Sequence, residues 1–482
     1  MGDNYLETAT PILEDVVPSK KLNQYLAATS VSLGAFCAGT VLSWTSPALT
    51  HIVLQPMNQT NTTIAPSNIS HTSPGFKITE NEGALVGSIL TIGALVSAIP
   101  VGYLADRFGR KVTIIGLAVS FLINWVIICF SSNLIMVLVA RFFAGIGLGG
   151  ICVVAPIYIG EMAEARNRGT FGSFFQLFLS CGILFCCVVG YFTDWVGLAL
   201  VLGVTPILFG GSFLFMPETP VYLVGQNKVK QAETNLKKLR GSMFNIREEL
   251  REIERQLLET KLKKANLTDV ITNKANLRAV ISIVGVLGFQ QMCGINAIVF
   301  YTVTIFEAAG TDISPFLSAI ITNLVQVVVS YFSVLVIEKA NRKFFLMISS
   351  AGMMLCMVSL AMFFHLKLLQ VDVSHLSFLP LASTMLFMVS FSFGYGPVPW
   401  MLLGELFAPE IKGIASGIGV LSNWIFAFVV TFSFPLMNAS FGNHVTFYTL
   451  SVVMALATVF VYYVVPETRG KTLAEIQQEL NG

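Results

Sequence analysis

Twelve long apolar runs, each near the length of a bilayer-crossing helix, dominate this chain of 482 residues. They lie at 22–48, 82–104, 112–130, 134–158, 170–192 and 196–216, then at 277–306, 314–337, 344–365, 379–404, 414–436 and 445–465. A helix needs about 20 apolar residues to cross the hydrocarbon core of a membrane. Within lipid it must satisfy its own backbone N–H and C=O groups, which a helix does. Hydrophobic residues make up 54% of the chain and charged residues 12%, about half the charge of a soluble domain. The sequence therefore predicts an all-α polytopic membrane protein. The fourth, fifth, seventh and tenth runs carry polar side chains or Gly and Pro, so they are expected to line a path through it.

Basic residues set the expected orientation. With the N-terminus in the cytoplasm, Lys77 and Lys367 fall outside and Arg141 falls within a span. All the rest of the 29 Lys and Arg then lie at the inner side, as the positive-inside rule requires. Met1 to Lys21 is polar and of mixed charge, unlike a cleavable signal. Glycosylation sequons at Asn58, Asn61 and Asn68 crowd the one long external loop, which suits a surface-exposed glycoprotein. The eight cysteines all fall within spans and read as small packing residues. A net charge of +2 gives no sign of nucleic-acid binding, because the basic residues follow topology. Lipid is the expected surround, and no motif names a protein partner.

Three motifs recur in the same order. Asp106-Arg107-Phe108-Gly109-Arg110-Lys111 returns as Glu338-Lys339-Ala340-Asn341-Arg342-Lys343. Glu161 with Arg168-Gly169 returns as Glu405 with Lys412-Gly413, and Pro217-Glu218-Thr219 returns as Pro466-Glu467-Thr468. A six-span unit has been duplicated. The expected plan is a cytoplasmic N-terminus at 1–21, a six-helix bundle at 22–216, a cytoplasmic helical linker at 217–276, a second bundle at 277–465 and a cytoplasmic tail at 466–482. Within the linker, Leu and Ile recur at helical spacing among Lys, Arg and Glu over 228–264, as in surface-lying amphipathic helices; a calmodulin or lipid site is the functional alternative there. Parallel halves of this kind hold substrate near the midplane between them. The repeated charges at Asp106, Arg107, Arg110, Glu161, Arg168, Glu218, Glu338, Arg342, Glu405, Glu467 and Arg469 are then expected to pair when the inner side is closed and to part when it opens.

Few groups within the spans could hold a ligand. Gln290, Gln291 and Asn296 share the seventh, where Gly294 permits a helix break. Gln176 lies in the fifth, Asn323 in the eighth and Asn423 in the eleventh. In the tenth, Gly394-Tyr395-Gly396-Pro397-Val398-Pro399-Trp400 will distort the helix and leave Trp400 beside the break. Carboxamides donate and accept without charge, which suits a neutral, hydroxyl-rich solute. Arg141 lies near the external end of the fourth span, where it can snorkel or shape the pocket.

The whole chain resembles a sugar porter of the major facilitator superfamily, related to the facilitative glucose transporters. The resemblance rests on Gly102 through Asp106-Arg107-x-Gly109-Arg110-Lys111, Arg141-Phe142-x-x-Gly145, Glu161 through Arg168-Gly169, Pro217-Glu218-Thr219-Pro220, Gln290-Gln291-x-x-Gly294-Ile295-Asn296, Gly396-Pro397-x-Pro399-Trp400 and Pro466-Glu467-Thr468-Arg469-Gly470. It implies that Gln176, Gln290, Gln291, Asn296, Asn323, Trp400 and Asn423 contact or flank a bound sugar. Gly39 through Ala48 resembles the arthropod branch that includes facilitated trehalose and hexose transporters. Three positions depart from the family. Thr219-Pro220-Val221 replaces a frequent Ser-Pro-Arg, and Ser392 stands where many vertebrate glucose transporters carry a glutamate. Asn341 replaces a glycine, a change that Asn's tolerance of left-handed turns accommodates.

Proton-coupled relatives of this family carry an aspartate in the first span, and a buried carboxyl is a natural proton carrier. Between Lys21 and Thr79 this chain has no Asp or Glu. The expectation is therefore a facilitative uniporter for trehalose or a hexose such as glucose in the cell membrane, working by alternating access. A proton-coupled symporter and a non-transporting sugar sensor are the alternatives. No nucleophile or metal constellation suggests an enzyme, and no cofactor or metal is expected. His51, His71, His365, His375 and His444 read as surface residues in or beside external loops.

Overall fold

The computed structural model describes residues 22–53, 77–164, 168–241, 245–262, 272–337, 341–407, 409–471 and 473–481. The sequons at Asn58, Asn61 and Asn68, the acid Glu338 and all of 1–21 lie outside them. The first half contains α1 (Leu22–Ser43), α2 (Thr45–Ile52), α3 (Glu80–Phe108), α4 (Arg110–Cys129), α5 (Leu134–Met162), α6 (Arg168–Phe192) and α7 (Trp195–Leu214). Three short helices follow: α8 (Pro220–Gly225), α9 (Val229–Arg240) and α10 (Arg247–Leu262). The second half contains α11 (Lys274–Met292), α12 (Ile295–Ala309), α13 (Pro315–Ile337), α14 (Arg342–Leu368), α15 (Leu379–Phe393), α16 (Val398–Glu405), α17 (Pro409–Phe441) and α18 (Asn443–Val464). A last helix, α19 (Leu473–Asn481), closes the chain.

Twelve segments among the described residues are long and apolar enough to cross a membrane. Each contains or overlaps one of the twelve runs, and most extend by a few residues at the ends. The run at 22–48 becomes Leu22–Ile52, and that at 277–306 becomes Lys274–Ala309. Polar caps fix several starts. Thr79 and Glu82 form a reciprocal capping box at α3, with the Thr79 N–H donating to Glu82 Oε2 at 2.7 Å. Asn133 caps α5 by accepting from Met136 N at 3.0 Å, and Asp194 caps α7 by accepting from Gly197 N at 2.8 Å.

Within the first half α3 packs on α5 and α1 on α6; within the second, α14 packs on α18 and α11 on α17. Lipid tails are as apolar as the side chains, so helices associate by close packing rather than by the hydrophobic effect. The crossings use glycine for this. A Cβ on Gly39 would run into Leu179 O, and one on Gly182 would run into Phe36 O. At the α3–α5 crossing, Gly93 and Gly145 stand in the same relation to Phe142 O and Leu90 O. Large side chains such as Ile207, Leu208, Leu355 and Val459 point outward and are more than half exposed, forming an apolar belt.

Helices α8 to α10 cap one end of the first bundle, here termed the linker end. Arg240 is their hub, 1% exposed. Its guanidinium donates to Glu249 Oε1 and Oε2 at 2.5 and 3.0 Å and to Met162 O at 2.9 Å, with Glu164 Oε1 at 3.6 Å. Asn235 donates to Glu218 O at 3.0 Å, which ties α9 to the end of the first bundle. Helix α19 returns to the second bundle, where Arg278 Nη1 donates to Leu480 O at 2.9 Å.

Candidate substrate-binding site

Two interrupted helices face each other in the second bundle. Between α11 and α12, Gly294 takes a left-handed conformation (φ 86°), which a side chain would strain. Between α15 and α16, residues Gly394 to Pro397 leave the helical path. That break exposes backbone carbonyls, and a carboxamide from the other helix claims them. Gln290 Nε2 donates to Tyr395 O at 2.6 Å and to Gly396 O at 3.0 Å.

A directional relay runs outward from this anchor. Asn423 Nδ2 donates to Gln290 Oε1 at 3.0 Å and to Leu287 O at 3.1 Å. Gln291 Nε2 donates to Asn423 Oδ1 at 3.1 Å, and Asn296 Nδ2 donates to Gln291 Oε1 at 2.6 Å. Helical spacing alone separates Gln290 from Gln291 by about 100°. Asn423 resolves this by inserting from α17 and bonding both glutamines.

A carboxamide offers two N–H donors and one acceptor oxygen. Gln290 and Asn423 use both donors and engage the oxygen, so neither has an N–H left to offer. Gln291 retains one N–H. Asn296, half-buried, retains one N–H and its whole Oδ1. The relay therefore has a structural end and a presenting end.

The other sequence-derived candidates are spread around it. Gln176 is half-buried on α6 and Trp400 half-buried in the first turn of α16; neither joins the relay among the described residues. Asn323 is buried on α13, where Nδ2 donates to Cys187 Sγ at 3.2 Å and Oδ1 has no partner. Sequence reasoning missed Gln326, one helical turn from Asn323 and 2% exposed, whose Oε1 is also unpartnered. The i, i+3 spacing to Asn323 was the available signal. Ser392, the departure from the vertebrate pattern, is buried, and its carbonyl accepts from Ser333 Oγ at 2.7 Å.

Arg141 does not snorkel. It is wholly buried, with Nη1 donating to Val41 O at 2.7 Å and Nη2 to Thr45 Oγ1 at 3.0 Å. Its guanidinium lies 5.1 Å from the Trp44 ring centroid. The side chain is spent on α1 and α2, through Val41 and Thr45.

The repeated charges form two matching clusters, each inside one bundle. Arg110 pairs with Glu161 at 2.7 Å and Asp106 at 3.1 Å, and Arg342 pairs with Glu405 at 3.0 Å. Thr219 donates to Glu161 Oε2 and Thr468 to Glu405 Oε2, each at 2.5 Å. Glu218 and Glu467, expected to meet basic side chains, instead accept backbone N–H groups. Glu218 takes those of Arg110 and Lys111, and Glu467 takes those of Arg342 and Lys343. The acids sit at helix starts, where free N–H groups are the nearest donors. The Arg107 guanidinium lies 5.4 Å from the Phe108 ring, and Arg469 donates to Asn341 Oδ1 at 3.1 Å. Arg168 is the first residue of α6. Asn341 itself has φ −67°, so it needs no left-handed turn, unlike Gly109 at φ 101°.

Contacts between the bundles lie at mid-depth and at the end away from the linker. Ser180 and Ser330 hydroxyls meet at 3.4 Å, and the Val303 N–H donates to Ser46 Oγ at 3.1 Å. Toward the linker end, Gly160, Gly172, Gly413 and Gly417 face open space.

Paired six-helix bundles with broken helices at their interface define a transporter of the major facilitator fold. Comparison with known proteins names the family. The model described as "Sugar (and other) transporter" matches residues 31–480, and the chain belongs to that family. It is 36% identical over 461 residues to the facilitated trehalose transporter Tret1 of Anopheles gambiae, covering 95% of this chain and 56% of the relative. The chain thus spans little more than half the length of that relative. It covers 88% of the Tret1 of Polypedilum vanderplanki at 35% identity. Among solved structures it matches a partially occluded inward-open conformation of the xylose transporter XylE from E. coli with TM-score 0.76 and 26% identity, over 93% of this chain and 99% of that one. The proton:xylose symporter XylE bound to 6-bromo-6-deoxy-D-glucose matches with TM-score 0.74 and 25% identity, over 95% and 99% of the two chains.

Proposed function

We propose that this multi-pass protein is a facilitative uniporter for trehalose or a hexose, with both termini cytoplasmic, in the cell membrane. The observation that carries the reading is the carboxamide relay, which ends on Asn296 with an unoccupied acceptor and a donor beside the break in the seventh span. Neutral amides match sugar hydroxyls without the desolvation cost of buried charge. Gln176, Gln291, Asn323 and Trp400 complete the pocket in this reading, and Gln290 and Asn423 hold it in shape.

Uniport is favoured by the surroundings of Arg141. Its partners on α1 and α2 are a backbone carbonyl and a hydroxyl, groups that do not titrate in the working range of a proton-coupled carrier. Relatives named for trehalose facilitation support the same reading, whereas the XylE likeness names a proton symporter. The test is uptake of labelled trehalose and of labelled glucose in oocytes at two external pH values, with and without a protonophore. Saturable uptake of one sugar, independent of pH and protonophore, is expected. Loss of uptake with the protonophore would overturn uniport, and failure to carry either sugar would overturn transport of these sugars.

A further inference from the structure

A cavity of about 400 Å3 lies at the end away from the linker, and none of the relay amides lines it. That volume is of the size of small-molecule sites. Its walls come from both halves: Glu80 on α3, Glu307 on α12, Asn438 on α17 and Asn443 on α18, with Tyr301 and Phe434 among its lining. The two rings stack at 5.7 Å and 11°. Tyr301 departs from helical geometry (φ −122°, ψ 18°), and its hydroxyl donates to Thr431 O at 3.3 Å.

The lining has unspent hydrogen-bonding capacity. Asn438 Oδ1 is buried without a partner, an arrangement that folded proteins rarely leave unexplained. No ion pair or hydrogen bond engages the carboxylates of Glu80 and Glu307 among the described residues. Carboxylates and carboxamides beside a stacked aromatic pair suit a neutral polyhydroxyl ligand: its hydroxyls donate to the acids and amides, and its C–H face packs on the rings. The space is too large for a lone cation.

We propose that this cavity is a second sugar site, which takes cargo sugar from the external solution while the transporter faces inward and thereby holds the outer end shut. The inference rests on the sugar-transport reading and on the orientation given with it. A ligand that touches both bundles in one state favours that state by its differential affinity. External sugar bound here must leave before the bundles part at this end, so high external sugar slows the cycle.

The experiment is initial sugar uptake over a wide range of external concentrations in the wild type and in Glu307→Gln and Asn438→Ala. Wild-type uptake should rise, pass a maximum and fall. In each variant the fall should move to several-fold higher concentration, with the low-concentration rate unchanged. Simple saturation in the wild type, or an identical fall in both variants, overturns the second site while leaving transport intact. Absence of uptake at every concentration removes the transport reading itself. Equilibrium binding of labelled sugar to the purified protein gives an independent count. Two sugars per chain are expected, with one lost in Glu307→Gln; a single site in the wild type refutes the proposal.

Discussion

The backbone N–H of Val303 donates to the Ser46 hydroxyl at 3.1 Å, and this bond ties the first bundle to the second at the end away from the linker. It exists because the seventh span leaves helical geometry at Tyr301, two residues before Val303. Gly87 lies under the Tyr301 hydroxyl, where a Cβ would clash. Closure at this end therefore draws on a local distortion, a glycine and one hydroxyl, beside the packing of α3 on α17 and of α2 on α12.

Ser46→Ala should loosen that closure. A hydrogen bond of this type contributes about 0.5–1.5 kcal/mol net, so the ratio of closed to open forms should fall by a factor of roughly 2 to 10. An impermeant maleimide applied from outside to an Asn296→Cys protein should react faster once Ser46→Ala is added. Equal rates would mean that the bond does not bias the equilibrium.

The two ends of the relay should separate in their mutational behaviour. Asn296→Ala should raise KM for uptake severalfold and lower the thermal midpoint of the purified protein less than Gln290→Ala does, since it strands only Gln291 Oε1. Gln290→Ala strands the Tyr395 and Gly396 carbonyls and one side of Asn423, at about 1–3 kcal/mol for each buried group left unpaired. Its midpoint should drop along with transport. Matching effects from both substitutions would contradict the division between presenting and supporting amides.

The charge clusters should couple within bundles and not between them. A double-mutant cycle on Arg110 and Glu161 should give a coupling energy of about 1 kcal/mol or more, and so should one on Arg342 and Glu405. The cycle on Arg110 and Glu405 should return zero within error for thermal stability. Clear coupling in that last cycle would restore a latch across the interface.

Arg240→Ala should destabilise the linker end by about 1–3 kcal/mol, since it removes charge-assisted bonds to Glu249 and Met162 O. Limited proteolysis within 228–262 should then proceed faster, while sugar affinity stays the same. Unaltered proteolysis would show that α9 and α10 are held by their apolar contacts alone.

The fold was legible because the constraint behind it is one-dimensional. A run of apolar residues must become a helix in lipid, so lengths and order follow from the chain, and the duplication followed from Asp106 to Thr219 recurring as Glu338 to Thr468. The helix breaks were legible: Gly294 and the Gly-Pro cluster at 394–397 mark them, and both are present. What the sequence does not carry is who bonds to whom. Asn423 enters between Gln290 and Gln291 from a helix more than a hundred residues away, and spacing within one helix says nothing of that. Glu218 and Glu467 were expected to meet cations because charge is visible in sequence, whereas the backbone N–H groups that they accept are not. For Arg141 the sequence left snorkelling and pocket-shaping both open, because its partners Val41 O and Thr45 Oγ1 come from other helices.

The relay also has a sense of direction that the pocket inherits. Tyr395 O and Gly396 O can only accept, so Gln290 must point its nitrogen at them, and each amide downstream is turned the same way. Asn296 is thereby left showing an oxygen. Any hydroxyl that meets that oxygen must give its proton. A cargo analogue with fluorine in place of that hydroxyl keeps the size and loses the proton, so it should be turned away by two backbone carbonyls that it never touches.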